Sequence, residues 1–417
     1  MAPLTIDARD GATRARAGRL HTAHGDVRTP AFVPLATKAT VRGLLPAEVA
    51  ALGYDMVLGN TFHLMLNPGA ELIGRFGGLH RFMGWEGPII TDSGGFQVFS
   101  MGHGTVADEI KSRTPRTRAL EGSTTPGHEG HSEGLKGEGT KREGAILAIE
   151  EDGVRFRSYV DGGVRFISPE DSMAVQAALH SDIALVFDEC TPFHVDRDYT
   201  ERSTERTHRW LERCLRWHAE HGPSDQLVYG IVQGGVYEDM RRGSTRVVVS
   251  SGCEGVAIGG SLGAEKAQMY EVVGYATAEL GGEYERLPRH LLGIGEVDDL
   301  IRGVELGIDT FDCAMPTRLG RHGTALVDDP HNRWRVDLTK SQWRTSEEPL
   351  SEDCACYACA QGLSRAYLSY LARAGELTGV RLLTEHNLAF LAHLMDDLRQ
   401  AILDGRLSAV AARLRGE

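Results

Sequence analysis

The chain has 417 residues, enough for one large α/β barrel with an appendage or for two to three ordinary domains. Its 41% apolar and 25% charged residues are typical of a soluble protein, and its formal charge of −13 argues against a general nucleic-acid coat. The N-terminus lacks an apolar core and no apolar run could span a bilayer, so we expect no signal peptide, no membrane helix and a cytoplasmic location.

The positions of the charged residues and of the cysteines restrict how the chain could bind nucleic acid and whether it forms disulfides. Basic and acidic side chains balance in residues 103–143 and 331–417, so the excess acid lies in residues 1–102 and 144–330. Any contact with nucleic acid must therefore come from a local basic patch in an acidic body. The seven cysteines are an odd number, and three of them lie within six residues, which is not the spacing of a secreted disulfide framework.

Eight short apolar runs, each followed by glycine or a polar residue, predict the strands of a parallel sheet, because strands buried on both faces are continuously apolar. Helical patterns lie between most of them, and this alternation predicts an α/β fold, a (β/α)₈ TIM-type barrel, with a doubly wound open sheet as the alternative. The runs are Ala31–Pro34, Met56–Leu58, Pro88–Thr91, Ile183–Phe187, Leu227–Val232, Gly255–Ile258, His290–Gly293 and Ile308–Phe311. The helical patterns include Ser168–His180, Thr200–His221, Tyr237–Ser251, Ala264–Leu280 and Glu296–Leu306.

Residues His103–Glu143 interrupt this pattern after the third strand. They have no hydrophobic period and are rich in glycine, serine, threonine and charge. This composition predicts a flexible insertion without a catalytic role, and its balanced charge argues against an RNA-binding arm.

A cluster of metal ligands is predicted near the C-terminus. Cys354, Cys356 and Cys359 supply three thiolates, and a closed tetrahedral zinc site needs a fourth ligand from the protein. His386 is the best candidate, because it lies near the start of a predicted helix, Thr384–Leu403. We therefore predict a structural Zn²⁺ ion, one per chain, in a zinc-binding subdomain over residues 331–417 that follows a catalytic barrel over residues 1–330.

Other readings of this cluster are weaker. His331 lies upstream and His393 lies within the predicted helix, so both are less well placed as ligands. An iron–sulfur cluster lacks a nearby fourth cysteine. Three reduced thiols in an exposed loop would be prone to oxidation.

Polar residues follow most of the predicted strands, at the end of a barrel where active sites lie. Asp92 follows the third strand and Asp312 ends the last one, so both can face one central mouth. Two carboxylates across a glycosidic bond can act as nucleophile and as general acid/base. Each aspartate alone could instead cap a helix or form a turn, which is the commoner role.

Residues at the ends of other strands form a donor and acceptor set that suits a purine such as guanine. A carboxylate at Asp188 can accept from N1–H and N2–H, while Gln233 and the backbone of Gly259-Gly260 can serve the acceptors. Phe96 can stack on the base. The glycines of Thr91-Asp-Ser-Gly-Gly-Phe-Gln97 permit a tight turn and close approach of a ligand.

Taken together, these residues resemble the bacterial tRNA-guanine transglycosylases, the queuine tRNA-ribosyltransferase family, from Ala31 to about Leu403. Many separate segments match in order, which is specific although no single match is. The matching segments are Leu58-Gly-Asn-Thr-Phe-His-Leu64, Thr91-Asp-Ser-Gly-Gly-Phe-Gln97, Phe187-Asp-Glu-Cys-Thr-Pro192, Tyr229-Gly-Ile-Val-Gln-Gly-Gly-Val-Tyr-Glu-Asp239, Phe311-Asp-Cys-Ala-Met-Pro-Thr-Arg318, the three clustered cysteines and Thr384-Glu-His-Asn387.

The resemblance implies a pentosyltransferase that exchanges the wobble guanine of tRNA with a GUN anticodon for 7-aminomethyl-7-deazaguanine, on the route to queuosine. It implies a homodimer, double displacement through a covalent ribosyl-aspartate, Asp312 as nucleophile and Asp92 as general acid/base. The implied base-binding residues are Ser93, Gly94, Gly95, Phe96, Asp188, Gln233 and Gly260. The implied RNA-binding residues are Gly293, Ile294, Gly295, Glu296, Val297, Asp298 and Asp299, with Thr317, Arg318, Leu319, Gly320 and Arg321.

The sequence departs from the family pattern in three places. The His103–Glu143 insertion is not part of that pattern, and Glu296 stands where a basic residue contacting the anticodon is expected. The loop Gly259-Gly-Ser-Leu-Gly-Ala-Glu265 differs from the usual Gly-Gly-Leu-Ala-Val-Gly-Glu, which affects the expected choice of deazaguanine.

Three alternative functions stay open at this stage. A non-catalytic tRNA-binding partner subunit of the same fold could dispense with the two aspartates, which this chain retains. A related transglycosylase could act on another deazaguanine or another nucleic acid. A metal-dependent hydrolase would need an open metal site at the strand ends, and residues 36–40 offer no histidine pair.

Overall fold

The computed structural model describes residues 3–102, 146–191 and 195–416. The predicted His103–Glu143 insertion lies outside the described residues. The strands are β1 (Leu4–Arg9), β2 (Arg16–Thr22), β3 (Gly25–Thr29), β4 (Ala31–Val33), β5 (Leu35–Ala36), β6 (Val57–Gly59), β7 (Ile89–Thr91), β8 (Ile146–Ile149), β9 (Val154–Arg157), β10 (Val164–Ile167), β11 (Ile183–Leu185), β12 (Leu227–Val232), β13 (Gly255–Ile258), β14 (Arg289–Leu291), β15 (Thr310–Asp312), β16 (Thr324–Leu326) and β17 (Arg335–Asp337).

Helices follow most of the parallel strands, as the alternation predicts. The α-helices are α1 (Pro46–Ala51), α2 (Thr61–Leu66), α3 (Ala70–Arg75), α4 (Leu79–Met83), α5 (Gly95–Gly102), α6 (Pro169–Leu179), α7 (Arg197–His221), α8 (Glu238–Ser250), α9 (Lys266–Ala278), α10 (Val297–Glu305), α11 (Met315–Arg321), α12 (Tyr357–Ala360), α13 (Arg365–Ala374), α14 (Leu377–Leu403) and α15 (Leu407–Arg415). The predicted start of α6 at Ser168 is stabilised by a capping box. The Ser168 side chain accepts from Asp171 N–H at 3.0 Å, and the Asp171 carboxylate accepts from Ser168 N–H at 2.9 Å.

The central sheet is a closed parallel barrel. Its order is β4-β15-β14-β13-β12-β11-β7-β6-β5, and every neighbouring pair is parallel. Its two outer members, β4 and β5, are one chain segment interrupted only at Pro34, so the sheet closes on itself. The prediction of a (β/α)₈ barrel is confirmed, and the open-sheet alternative is wrong.

A three-stranded antiparallel sheet, β1-β2-β3, lies at the N-terminal end of the barrel, where His24 and Arg16 contact residues that precede barrel strands. A second antiparallel sheet, β10-β9-β8, precedes α6. Neither sheet was predicted from the sequence. Among the described helices, none is long and apolar enough to cross a membrane.

Two hydrophobic cores share the long helix α14. The larger core fills the barrel and includes Leu388, Leu391 and Leu398 of this helix. The smaller one lies under the β16-β17 hairpin and the cysteine segment, and it includes Leu382 and Leu383. Helix α14 therefore packs its first turns in one core and its later turns in the other.

The predicted start of this helix at Thr384 is wrong, because the helix begins seven residues earlier, at Leu377. Gly379 lies inside the helix. Its missing side chain lets the helix pack closely against Leu371, because a Cβ there would lie 2.8 Å from the Cβ of Leu371. His386 consequently lies in the third turn of the helix and not near its start.

Candidate active site

A cavity of about 280 Å³ opens at the C-terminal ends of the barrel strands. Parallel strands all end at the same mouth, so side chains that follow different strands converge there. The three aspartates Asp92, Asp188 and Asp312 line this one cavity, together with Phe96 and Gly260. The predicted convergence of the two candidate catalytic carboxylates on one mouth agrees with this geometry.

Asp92 directly follows β7 and is held by neutral donors. Its Oδ1 accepts from Thr61 N–H at 2.9 Å, and its Oδ2 accepts from the side-chain amides of Asn60 and Gln97. Solvent reaches part of the side chain through the cavity, but protein atoms surround the carboxylate, and this burial raises its pKa from 3.8 to about 7. The nearby charge of Asp312 adds to the rise, so this carboxyl can both give and take a proton near neutral pH.

Asp312 ends β15 and is held by the neighbouring strand. Its Oδ1 accepts from Gly293 N–H at 2.9 Å. Gly293 has a φ of +72°, a conformation that glycine adopts without strain, and it follows β14 at the cavity edge. Among the described residues no hydrogen-bond donor contacts the other oxygen, Oδ2.

Asp188, Ser93 and Gln233 form the most buried corner of the site. Asp188 Oδ1 accepts from Ser93 Oγ at 2.9 Å, and Oδ2 accepts from Gln233 Nε2 at 2.6 Å. Burial raises the pKa of Asp188 to about 6, and the two hydrogen bonds offset part of this rise. A ligand with adjacent N–H groups can take the place of these donors at the carboxylate.

Three glycines keep this corner open. Gly260 has a φ of +75°, and a Cβ there would lie 2.0 Å from Oε1 of Gln233. A Cβ at Gly95 would lie 2.7 Å from the carbonyl oxygen of Asp188, and Gly94 has a φ of +80°. Side chains at Gly260 and Gly95 would clash with residues that shape the pocket, and a side chain at Gly94 would be strained by the positive φ.

Only some of the residues with an implied RNA role line the cavity. Gly293 and Ile294 line the cavity, but Val297 and Asp299 are buried. The Asp299 carboxylate accepts from Tyr270 Oη at 2.7 Å and pairs with Lys266. Most of the remaining residues contact other parts of the protein. Asp298 accepts a hydrogen bond from Trp334, and Glu296 pairs with Arg335. Gly295 packs on Cys313 and Gly320 on Thr384, while Thr317 is buried and Leu319 is half-buried.

Arg318 and Arg321, in the last turn of α11, form a basic patch with Arg42. Arg318 and Arg321 are half-buried, and burial together with the charges of Arg42 and Arg318 lowers the pKa of Arg321. None of the three pairs with a carboxylate in the described part of the chain. This is the kind of local basic patch that the overall charge requires for RNA contact, and sequence reasoning missed Arg42.

The three cysteines and His386 converge as predicted. The Sγ atoms of Cys354, Cys356 and Cys359 lie 3.7, 3.4 and 3.5 Å from Nδ1 of His386. A tetrahedral ion with bonds of about 2.3 Å to sulfur and about 2.0 Å to nitrogen places its ligands roughly 3.5 Å apart, so this donor set fits a structural metal site. Nε2 of His386 bonds to the carbonyl oxygen of Leu326 at 2.7 Å, which orients the ring.

The two alternative histidine ligands do not join this cluster. His393 is 77% exposed and faces Asp397, and His331 is absent from the cluster. The second group of ligand-type side chains in the described chain, His24, His80 and Asp182, lies at the opposite end of the barrel. The described mouth therefore lacks the ligand set that a metal-dependent hydrolase would need.

Comparison with known proteins agrees with this architecture. A family model described as Queuine tRNA-ribosyltransferase matches residues 10–122 and 141–416, so the gap at 123–140 falls inside the predicted insertion. A queuine tRNA-ribosyltransferase of Roseiflexus is 47% identical over 99% of this chain and 98% of that protein. Those of Pelotomaculum thermopropionicum and Psychrobacter cryohalolentis are each 43% identical, over 97% and 94% of this chain and 95% and 91% of those proteins.

A closed (β/α)₈ barrel with carboxylates at its mouth and a Cys₃His cluster beside it defines the class, a barrel enzyme with a metal-binding C-terminal region. The chain belongs to the queuine tRNA-ribosyltransferase family. The predicted family is confirmed, and with it the interpretation of this chain as a transferase.

Proposed function

We propose that this chain is a tRNA-guanine transglycosylase that exchanges the wobble guanine of GUN anticodons for 7-aminomethyl-7-deazaguanine. The observation that carries the proposal is the pair Asp92 and Asp312, which open into one cavity beside the pocket of Asp188. Family membership supports the same reaction. Both aspartates are present, which disfavours a non-catalytic partner subunit.

In the proposed first step, Oδ2 of Asp312 attacks C1′ of the wobble ribose. The bond from C1′ to N9 breaks, and the departing guanine takes its proton from the carboxyl of Asp92. A ribosyl ester on Asp312 remains, and Asp92 is now a carboxylate. In the second step Asp92 removes the N9 proton of the incoming deazaguanine, which attacks C1′ and releases Asp312.

The base-binding roles follow from the same corner of the cavity. We propose that Asp188 accepts from N1–H and N2–H of the base, while the Gln233 amide and the Gly260 N–H donate to O6. Ser93, Gly94 and Gly95 hold the backbone close to the base, and Phe96 stacks on it.

We propose that RNA is contacted by those members of residues 293–299 and 317–321 that are not buried in the protein, with Arg318 and Arg321 binding the anticodon next to the exchanged base. The support is the basic patch of Arg42, Arg318 and Arg321, which pairs with no carboxylate of the described residues, in a chain whose formal charge is −13. Because each phosphate contact releases counterions, binding of tRNA should weaken steeply with salt.

We propose that the Cys₃His cluster holds one structural Zn²⁺ ion per chain, because three thiolates and one imidazole suit zinc and leave no open position. When bound, the ion supplies cross-linking and no step of the reaction. Elemental analysis should find about one zinc per chain, and Cys356→Ala should lose it. An equal zinc content in both proteins would contradict the assignment.

Three wider proposals accompany this function. We propose a catalytic barrel over residues 1–330, a zinc-binding subdomain with the C-terminal helix over 331–417, and a cytoplasmic location, since tRNA is the substrate. We also propose a homodimer, supported by Tyr357, Tyr367 and Tyr370, which are 58%, 44% and 59% exposed on the metal-binding region. Sedimentation of the full chain checks this; a monomer at micromolar concentration would contradict it.

The reaction is tested with tRNA bearing a GUN anticodon, labelled guanine and several 7-deazaguanines. We expect incorporation at the wobble position only, with 7-aminomethyl-7-deazaguanine displacing guanine irreversibly. Asp312→Ala should form no covalent RNA complex and exchange no base. Exchange at the normal rate in this variant would refute Asp312 as nucleophile, and no exchange by the unaltered chain would refute the function.

A further inference from the structure

His290 is a buried imidazole directly behind the candidate nucleophile. It lies in β14, is fully buried, and its Nδ1 is 2.9 Å from Thr310 Oγ1. Its Nε2 lies 3.2 Å from Oδ1 of Asp312 on the neighbouring strand. The two atoms do not form a hydrogen bond, so Nε2 is a buried polar atom without a hydrogen-bond partner in the described chain.

The Asp312 carboxylate is near enough to complete this contact. A small rotation of its carboxylate brings Oδ1 into line with Nε2, because the separation already lies within hydrogen-bond range. The same Oδ1 accepts from Gly293 N–H at 2.9 Å. Both donors thus meet one oxygen, while Oδ2 stays free to face the cavity.

The partner at the other ring nitrogen selects the tautomer. When the Thr310 hydroxyl donates to Nδ1, the ring proton resides on Nε2 and points at Asp312. This arrangement leaves neither nitrogen unsatisfied, whereas the opposite tautomer would set a lone pair of Nε2 against the carboxylate.

We propose that His290 is a positioning residue for Asp312: its Nε2–H and the Gly293 N–H hold Oδ1, so that Oδ2 is aimed at the sugar carbon. The inference rests on the proposed function and goes beyond it, because a free carboxylate could present either oxygen. Aligning the attacking atom lowers the barrier of the chemical step without changing the affinity for RNA.

Two amide variants separate this role from simple packing. In His290→Gln the side-chain amide reaches the place of Nε2, whereas in His290→Asn it reaches only that of Nδ1. We expect His290→Asn to lower kcat about 10- to 100-fold at unchanged KM for tRNA, which is the range of one hydrogen bond to a charged group. His290→Gln should restore kcat to at least about tenfold above the Asn variant.

Thermal midpoints of both variants control for folding, and ¹⁵N-histidine NMR provides a readout independent of activity. We expect a neutral imidazole protonated at Nε2, identified by its loss in His290→Gln and shifted by Asp312→Asn. An Nδ1-protonated ring, or equal kcat values in the Asn and Gln variants, would overturn the proposal. If the unaltered chain exchanges no base, the proposed function fails, while the NMR still decides whether His290 donates to Asp312.

Discussion

The two ends of the barrel hold buried aspartates in opposite ways. At the mouth, Asp92 and Asp188 accept hydrogen bonds from neutral amides and a hydroxyl, and burial raises their pKa values to about 7 and about 6. At the N-terminal end, Asp309 is fully buried but forms a two-pronged pair with Arg16. The same residue type therefore has neutral partners where strands end at the mouth and an arginine partner where a strand begins at the opposite end.

Asp182 shows how the N-terminal end fixes its charge. Its carboxylate accepts from His24, from His80 at 3.1 Å and from Ile89 N–H at 2.8 Å. Burial alone would raise its pKa, but these contacts outweigh burial and lower the pKa to about 2. The comparison teaches that neutral partners at the mouth permit proton transfer, whereas cationic or imidazole partners at the other end stabilise the fold.

The largest expected effect is the loss of base exchange in Asp92→Asn, which tests the role of the aspartates at the mouth. The amide keeps the shape but cannot transfer a proton, so base exchange should fall by about 10²- to 10⁴-fold. Because no cation loses its partner, the thermal midpoint should stay the same or rise. A lowered midpoint with normal exchange would show that Asp92 is structural, like Asp309.

Arg16→Met tests the structural role of the aspartates at the opposite end of the barrel, and it should lower the free energy of unfolding. It leaves the buried Asp309 without its cation, which costs about 3–5 kcal/mol in the free energy of unfolding, measured with urea. Exchange per folded molecule should be unchanged. The matched control is Arg9→Met, which removes an exposed pair with Glu285 and should cost less than about 1 kcal/mol; equal losses in the two variants would contradict the argument.

Acid titration of stability sharpens the comparison at Asp182. Its pKa is lowered from 3.8 to about 2, so the stability it contributes is present above pH 3.8 and is lost as the pH falls through 2. The advantage of the unaltered chain over Asp182→Asn should therefore shrink by on the order of 2 kcal/mol between pH 5 and pH 2. A constant difference across this range would show that the carboxylate is not stabilised as an anion.

The pH dependence of exchange gives the smallest effect. In the proposed mechanism Asp92 carries its proton when guanine departs, and its pKa is about 7, so kcat/KM for tRNA should decline about tenfold per pH unit above this value. This decline of kcat/KM above pH 7, the alkaline limb of the pH profile, should be absent from the residual activity of Asp92→Asn. If the limb persists there, another group controls it.

Sequence periodicity predicted the eight barrel strands to within a few residues, because strands buried on both faces leave unbroken apolar runs. It missed β1, although Leu4–Arg9 alternates between buried and exposed positions, a signal of period two that was present. Contacts such as the hydrogen bond from Arg16 to Asp309 form only because the fold brings distant segments together, so no local sequence pattern predicts them.

The candidate site was predictable where chemistry-bearing residues follow strands, as with Asp92, Asp188 and Asp312. His290 was overlooked because it lies inside a run interpreted as an apolar strand, where a lone histidine was the available signal. Asn60 also follows a barrel strand, but its bond to Asp92 depends on two neighbouring strands meeting side by side. Arg42 was missed because nothing in its local sequence indicates that it lies near Arg321 in space.

The helix Leu377–Leu403 carries His386, a proposed metal ligand, in its third turn and barrel-core leucines in its later turns. Neither core can lose it without exposing apolar surface in the other, so the two parts of the chain unfold as a single cooperative unit. Calorimetry of the zinc-loaded protein should consequently record one heat-absorption peak, and removing the ion should move that whole peak to lower temperature and not split off a second one.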